Sequence, residues 1–237
     1  MLTVFDDRIL LGEAAALAVG QTIRDLLAGQ PEVNIIFAAA PSQNEFLQAL
    51  CNQPLDWKRV NAFHMDEYVG LRSFSGYLRD RLVSKVSFGS VHFLDGHAPD
   101  PVAECRRYAA LLQQSPPDIV CMGIGENSHL AFNDPGVADF NDPVRVKVVT
   151  LDGDCRRQQV NDGCFPFLED VPQEAMTLTI PALMRGRYLF VVVPGERKAT
   201  AVYHTLNSPV TEHYPSTVLR RHEAVRIFLD RDSSRLL

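Results

Sequence analysis

The sequence predicts an α/β fold in which one domain, residues 1–237, contains a mainly parallel, Rossmann-like sheet with helices on both faces. Short apolar runs alternate with segments of helical periodicity along the whole chain, which is typical of parallel strands joined by crossover helices. In addition, no linker, low-complexity segment or internal repeat divides the chain.

The helices are predicted from apolar residues at helical spacing and from the residues that begin or end them. The first covers 13–28 and ends at Gly29. The second covers 42–50, where Ser42 and Glu45 have the spacing of a capping box. The same periodicity predicts further helices over 74–86, 102–114 and 197–206.

The strands are predicted from short apolar runs bounded by polar or turn residues. They cover 33–39, 59–65, 91–94, 118–122, 145–150, 175–180, 188–193 and 225–230. Between 150 and Asp170 the chain is polar and shows no clear period, so this stretch is predicted to be irregular.

Composition and charge exclude several classes of protein. With 46% hydrophobic and 22% charged residues the chain is of the ordinary globular type. The net charge is −6 and basic residues cluster only in pairs such as Arg106-Arg107, so no nucleic-acid partner is expected. Residues 1–8 lack the pattern of a secretory signal, and no apolar run approaches the ~20 residues of a membrane span, so no membrane association is expected.

The cysteines favour a cytoplasmic location. The chain has 5 of them, an odd number, and no two are separated by only two residues, which argues against both a disulfide framework and a zinc ribbon. We therefore expect reduced thiols in a cytoplasmic protein. The cysteines are Cys51, Cys105, Cys121, Cys155 and Cys164.

Parallel α/β sheets bind their ligands outside the carboxyl ends of the strands, and two of these junctions suit a phosphate. Ser42 stands at a predicted helix start, where free N–H groups favour an anion, although an N-cap serine is the structural alternative. Arg197 and Lys198 also stand at a helix start, where cations are unfavourable unless an anion lies beside them. Lys198 could bind phosphate as a compact charge, and the alternative is a pair of solvated cations.

Asp66 and Glu67 directly follow a predicted strand. Carboxylates are costly to bury there unless they cap, pair or react. Partial burial raises the pKa of a carboxyl group, which suits it to remove a proton from carbon. The alternative is a loop-capping Asp beside a solvated Glu.

The segment 122–135 carries the densest set of polar residues after a strand. Gly123 and Gly125 allow a tight turn, and a histidine beside carboxylates can act as an acid or base near neutral pH. No second histidine stands at ligand spacing, so no metal is expected, and the third glycine of a nucleotide-binding loop is missing. The polar residues are Glu126, Asn127, His129, Asn133 and Asp134.

Together these segments resemble the glucosamine-6-phosphate deaminase family. The resemblance rests on Met65-Asp66-Glu67-Tyr68-Val69-Gly70-Leu71, on Gly123-Ile124-Gly125 and on His129-Leu130-Ala131-Phe132-Asn133-Asp134-Pro135. The segments Gly195 to Lys198 and Tyr214-Pro215-Ser216 fit the same family, so the resemblance covers nearly the whole chain. The family shares its fold with 6-phosphogluconolactonases, but the residues that follow His129 look like the deaminase form.

The resemblance implies an enzyme that converts glucosamine 6-phosphate to fructose 6-phosphate and ammonia without a cofactor. In this family pattern Asp66 looks like the base that moves a proton between C2 and C1 of the open-chain sugar. His129 looks like the group that opens the pyranose ring, supported by Asp134, and Asn127 is placed with these catalytic residues.

The same resemblance implies the substrate-binding residues. Ser42 and Lys198 fall where the family holds the sugar phosphate, and Glu67 and Gly125 belong to the same two catalytic segments. The expected partner is a small-molecule sugar phosphate, and a homo-oligomer is compatible with the sequence.

The chain departs from the family pattern at four places. Asn127 stands where the family often has Asp, and Asp134 stands where it has Glu. The usual Gly/Thr-rich phosphate loop is replaced by Ala39-Ala40-Pro41-Ser42. The phosphate-binding Arg is replaced by Gly163, which leaves Arg156 and Arg157 as candidates to supply the charge.

Two other functions remain open at this point. One is lactone hydrolysis, as in a 6-phosphogluconolactonase, or a plain sugar-phosphate isomerisation on the same fold. The other is a non-catalytic sugar-phosphate sensor. The presence of both Asp66 and His129 argues against a sensor, because simple binding needs neither a carbon base nor a ring-opening group.

Overall fold

The structure is a computed structural model that describes residues 1–71 and 73–237. Its larger sheet has seven strands, and every neighbouring pair is parallel. Numbered in chain order, they are β1 (Leu2–Phe5), β2 (Val33–Phe37), β3 (Val60–His64), β5 (Ser90–His92), β6 (Ile119–Met122), β9 (Tyr188–Val193) and β10 (Val225–Asp230). They are ordered β1-β10-β9-β6-β2-β3-β5 across the sheet, so the predicted mainly parallel sheet is confirmed.

A second, three-stranded sheet stands beside the carboxyl edge of β3. It consists of β4 (Asp66–Tyr68), β7 (Val146–Thr150) and β8 (Glu174–Leu178), and both of its pairings are antiparallel with β8 in the middle. The sequence predicts β7 and β8 as strands but not this separate sheet. The reason is that β4 is only three residues long and follows β3 after a single residue, so the sequence indicates only a junction after the strand 59–65.

The helices lie on both faces of the large sheet. They are α1 (Arg8–Leu27), α2 (Asn44–Cys51), α3 (Ser73–Leu78), α4 (Pro101–Gln114), α5 (Gly153–Asn161), α6 (Ile180–Leu183) and α7 (Ala199–Asn207), with a π-helical turn over Arg79–Val83. Short 3₁₀ turns cover Pro41–Gln43, Trp57–Arg59, Leu168–Asp170, Glu196–Lys198 and Pro215–Arg221. In the part of the chain that the structure describes, no helix is both long and apolar enough to cross a bilayer.

Alternate residues of the central strands supply two separate cores. In β6, Ile119 and Cys121 pack with the residues of α1 and α2, whereas Val120 and Met122 pack with those of α4 and α7. This alternation follows from the period of two along a strand. The predicted placement of helices on both faces is therefore confirmed.

The amino-terminal end of the fold differs from the prediction. Residues 2–5 form β1, an edge strand paired with β10, and α1 begins at Arg8 rather than at residue 13. The early start has a local cause, because the Asp7 carboxylate accepts hydrogen bonds from the N–H groups of Ile9 (2.8 Å) and Leu10 (2.9 Å).

The predicted capping box at Ser42 and Glu45 is wrong. Ser42 lies inside a 3₁₀ turn, and α2 begins at Asn44 with Gln43 at its N-cap and no side-chain capping bond. The Glu45 carboxylate instead pairs with the Arg8 guanidinium at 2.9 Å. The Ser42 hydroxyl is therefore not used to cap α2.

Tyr108 of α4 ties the carboxyl ends of β3 and β5 together. Its hydroxyl accepts a hydrogen bond from the N–H of His64 (2.7 Å) and lies within donating distance of the carbonyl oxygens of His64 (2.8 Å) and His92 (3.0 Å). Since Asp66 follows two residues later, this contact also fixes where the strand that carries Asp66 leaves the large sheet.

We expect Tyr108→Phe to lower the free energy of unfolding by about 1–3 kcal/mol, because it leaves the buried N–H of His64 without a partner. Urea unfolding measures the loss. Tyr203→Phe is the matched control, since Tyr203 is 43% exposed and should change stability by less than about 0.5 kcal/mol. Equal effects of the two substitutions would contradict the role given to Tyr108.

Candidate active site

A cleft of about 570 Å³, partly open to solvent, lies outside the carboxyl ends of β2, β3, β6 and β9. This is the position expected for a ligand site on a parallel sheet. Five of the predicted site residues line it: Ser42, Asp66, Gly125, His129 and Lys198. Other lining residues are Gln43, Phe132, Gln158, Gln159 and Asp162.

Asp66 is the first residue of β4 and is 7% exposed. Burial, together with the neighbouring Glu67, raises the pKa of its carboxyl to about 8. Among the residues described, none donates a hydrogen bond to this carboxylate. A buried carboxyl with a raised pKa and no internal partner is well suited to take a proton from a bound molecule.

Glu67 is fully buried and faces away from the cleft. Its carboxylate accepts the backbone N–H groups of Tyr68, Ser73, Phe74 and Ser75 at 2.8–3.1 Å. Burial raises the pKa of this carboxyl, and these hydrogen bonds oppose the rise. The structure therefore does not bring Glu67 to the substrate side, where the sequence places it, but makes it an anchor for the start of α3.

His129 and Asp134 form a hydrogen-bonded pair in the loop after β6. The Nδ1 atom of His129 lies 2.9 Å from Oδ1 of Asp134, and the Asn127 side-chain amide donates to the same oxygen at 3.0 Å. Burial would raise the pKa of Asp134, but the charge of His129 and the hydrogen bonds from its neighbours hold it below its usual value. This contact fixes the orientation of the ring and leaves its Nε2 edge available on the cleft side.

The loop that carries this pair is fixed to the second sheet. Thr177 of β8 accepts the N–H of Phe132 at 3.0 Å, and the Asn133 amide donates to the carbonyl of Leu178 at 2.8 Å. Two non-glycine residues of the loop, Ser128 (φ 73°) and Ala131 (φ 51°), adopt the left-handed conformation. Such backbone is sparsely populated and persists only where surrounding contacts enforce it.

Gly125 makes room for the His129 ring. A Cβ atom at this position would lie 2.1 Å from Nε2 and 2.3 Å from the neighbouring ring carbons. Its N–H donates to the carbonyl of His129 at 2.9 Å, so this N–H is already occupied. Gly125 lines the cleft as predicted, but through close packing with His129.

Ser42 and Lys198 both line the cleft. Lys198 is 7% exposed, and its ammonium group makes no hydrogen bond or ion pair with the residues that the structure describes. Burial lowers its pKa, which the nearby carboxylates of Asp162 and Glu126 oppose. The Ser42 hydroxyl accepts a hydrogen bond from the Gln43 amide at 3.2 Å and keeps its own proton to donate. An ammonium without a direct partner and a hydroxyl donor in the same cleft suit an anion.

Helix α5 forms a wall of the cleft that sequence reasoning does not find. It supplies Gln158 and Gln159, and Asp162 follows at its end. Its start does carry a signal, because the Asp152 carboxylate accepts the N–H of Cys155 at 2.7 Å as an N-cap. The predicted irregular stretch up to Asp170 is therefore partly helical.

The two arginines considered for a phosphate do not line the cleft. Arg156 donates to the carbonyl oxygens of Leu168 (2.7 Å) and Val171 (2.9 Å) and so holds the chain after α5. Arg157 is exposed and pairs with Asp154. Neither is placed to supply the missing positive charge.

Cys155 lies directly behind the histidine–carboxylate pair. Its thiol, the Asp134 carboxylate and a ring nitrogen of His129 all lie within 4.8 Å of one another. Burial raises the pKa of this thiol, and the Asp134 charge raises it further. These three groups could hold a metal ion only if the hydrogen bond between His129 and Asp134 first opened, since a cation and a proton cannot share the same Nδ1.

Comparison with known proteins identifies the family. The model of the glucosamine-6-phosphate isomerases/6-phosphogluconolactonase family matches residues 6–228. The chain belongs to this family. It is 35% identical to a glucosamine-6-phosphate deaminase from an Exiguobacterium strain over 88% of this chain and 82% of that protein. It is 36% identical to one from Listeria monocytogenes over 87% of this chain and 88% of that protein.

Solved structures of family members have the same fold. A monomeric glucosamine-6-phosphate deaminase superposes with a TM-score of 0.90 and 28% identity, covering 100% of this chain and 99% of that one. The 6-phosphogluconolactonase from Trypanosoma brucei superposes with a TM-score of 0.82 and 19% identity, covering 100% of this chain and 98% of that one. The second likeness is one of fold alone.

The packing of Gly125 against His129 leads to a structural prediction. In Gly125→Ala the added methyl group displaces the imidazole ring, and we expect the Nδ1–Oδ1 separation to exceed about 3.5 Å, beyond hydrogen-bonding distance. A crystal structure of the variant, or loss of its downfield Nδ1 proton signal by NMR, measures this change. Gly76→Ala is the control, because a Cβ atom there meets nothing within 4 Å. An unchanged His129–Asp134 contact in Gly125→Ala would refute the prediction.

Proposed function

We propose that this chain is a glucosamine-6-phosphate deaminase, which isomerises its substrate and releases ammonia to give fructose 6-phosphate. The observation that carries the proposal is the pairing, in one cleft, of an unpartnered carboxyl whose pKa is about 8 with a histidine oriented by a carboxylate. The deaminase relatives at 35–36% identity support the same activity.

The proposed reaction begins with ring opening by His129. The imidazole transfers a proton between the C1 hydroxyl and the ring oxygen, which yields the open-chain aldehyde. Asp134 and Asn127 keep the ring in the required orientation. This role needs proton exchange near neutral pH, which imidazole provides.

Asp66 then carries out the isomerisation. Its carboxylate removes the proton from C2 to give an enolamine and returns a proton to C1. The product is an imine at C2, which adds water to form a carbinolamine. Loss of ammonia from the carbinolamine leaves the ketone of fructose 6-phosphate, so the atoms balance with one water consumed.

The phosphate is assigned to Lys198 and Ser42. In the strand order of the large sheet, β3 and β9 are separated by β6 and β2, about 14 Å apart at ~4.8 Å per strand. Asp66 follows β3 and Lys198 follows β9, so the base and the ammonium group face the cleft from opposite sides. An extended hexose phosphate fits between groups arranged in this way.

The direct test is ammonia release from glucosamine 6-phosphate. Galactosamine 6-phosphate, unphosphorylated glucosamine and 6-phosphogluconolactone complete the panel. Release of ammonia from glucosamine 6-phosphate supports the proposal. Turnover of the lactone without ammonia release would favour a lactonase, and binding without turnover would favour a sensor.

The assignment of Asp66 predicts a pH dependence. Since only the ionised carboxylate accepts a proton, kcat/KM should fall as the pH drops below about 8. Asp66→Asn should lower kcat by about two to four orders of magnitude above pH 8, where the parent carboxyl is ionised, and should itself lack this pH dependence. A pH-independent kcat/KM between pH 6 and 9, or a variant that keeps a tenth of the activity, would exclude Asp66 as the base.

Stability measurements provide a control for the same residue. Burial raises the folded-state pKa of Asp66 above the unfolded value of about 4, so its contribution to stability is full below pH 4 and is lost as the pH rises through about 8. The unfolding free energy of Asp66→Asn should therefore fall less over this range than that of the parent protein. A normal fold with this reduced pH dependence separates a lost base from a damaged structure.

The assignment of Lys198 predicts a change in affinity. A charge-assisted contact contributes about 1.5–3 kcal/mol, so Lys198→Met should raise KM by about one to two orders of magnitude and weaken competition by inorganic phosphate. Lys58→Met, at an exposed position before β3, should leave both values unchanged. If Lys198→Met also leaves them unchanged, the phosphate binds elsewhere.

A further inference from the structure

Gln159 is largely buried in the wall of the cleft, and its side-chain amide has no partner among the described residues. It lies on α5, is 7% exposed and lines the cleft. Its amide makes no hydrogen bond to any residue in 1–71 or 73–237. A polar group that lines a cleft and has no partner in the protein is available to a ligand.

The neighbouring Gln158 shows what a structural glutamine looks like on this helix. It is also 7% exposed, but its Oε1 accepts the N–H of Glu126 at 2.7 Å and its Nε2 donates to Asp162 at 3.3 Å. Gln158 thus ties α5 to the loop after β6. The two side chains have the same chemistry and burial, and they differ in whether the protein supplies partners.

The position of Gln159 along α5 indicates which part of a ligand it meets. Cys155, Gln159 and Asp162 follow one another on one face of the helix, at the spacing of successive turns. Cys155 lies beside the His129–Asp134 pair, and Asp162 lies beside Lys198. At 1.5 Å per residue, Gln159 is about 6 Å from the level of Cys155 and about 4.5 Å from that of Asp162.

We propose that the Gln159 amide binds a hydroxyl group of the substrate, on C3 or C4, between the reacting carbons and the phosphate. This assignment rests on the proposed function. A carboxamide both donates and accepts hydrogen bonds, which matches a hydroxyl group. The bound sugar then supplies the partner that the protein lacks, and Gln159 selects substrates that carry this hydroxyl.

The experiment compares Gln159→Leu with Gln158→Leu, using thermal unfolding and the kinetics of ammonia release. Loss of one neutral hydrogen bond should raise KM of Gln159→Leu for glucosamine 6-phosphate about threefold to tenfold. Its Tm should stay about the same, because the Gln159 side chain makes no hydrogen bond within the described residues. Gln158→Leu should lower Tm, because it leaves the N–H of Glu126 without its acceptor.

Deoxy substrates identify the hydroxyl group. The 3-deoxy or the 4-deoxy analogue of glucosamine 6-phosphate should bind the parent enzyme and Gln159→Leu equally well, while the other analogue keeps the difference. An unchanged KM in Gln159→Leu, or the same loss with both analogues, would overturn the role of Gln159. A lowered Tm that accompanies the rise in KM, as in Gln158→Leu, would show a structural role instead.

Ammonia release by the parent enzyme separates a wrong function from a wrong role of Gln159. If the parent enzyme releases no ammonia from glucosamine 6-phosphate, both the function and the role of Gln159 are rejected. If the parent releases ammonia and Gln159→Leu has the parent KM, only the role of Gln159 is rejected.

Discussion

The antiparallel pairing of β4 with β8 is the constraint on which the site depends. Its register places Asp66 opposite Thr177, and the Thr177 hydroxyl accepts the N–H of Phe132 in the loop that carries His129. One strand therefore supports both the carboxylate and the imidazole. The strands of the large sheet end before Asp66 and His129. The small sheet therefore sets the positions of the Asp66 carboxylate and the His129 imidazole relative to each other.

The three buried carboxylates near this strand behave differently because their surroundings differ. Glu67 accepts four backbone N–H groups, and Asp134 accepts from His129 and Asn127. Asp66 accepts from no described residue, and its pKa rises furthest, to about 8. Asn127, which departs from the family pattern, donates an N–H to Asp134, and an aspartate carboxylate at this position could not do so.

The sequence predicts those parts of the site that occupy single strand-to-helix junctions. Asp66, His129 and Lys198 follow apolar strands and are found for that reason. Helix α5 is not found because few of its residues are apolar, so no helical period is visible despite the cap at Asp152. The partners of Glu67 are likewise invisible, since they are backbone groups brought together only when α3 begins beside β4.

Three polar side chains that line the cleft have no hydrogen-bond partner among the described residues. Asp66, Gln159 and Lys198 are each 7% exposed, and none of their side chains is hydrogen-bonded to another of the residues that the structure describes. Glu67, next to Asp66, shows that this backbone can fully satisfy a buried carboxylate where nothing else must bind it. We therefore infer that a ligand binds all three side chains. In the proposed complex Asp66 meets the reacting carbon, Gln159 a hydroxyl group and Lys198 the phosphate. The cleft therefore favours a ligand that supplies all three contacts over one that lacks the hydroxyl group or the phosphate.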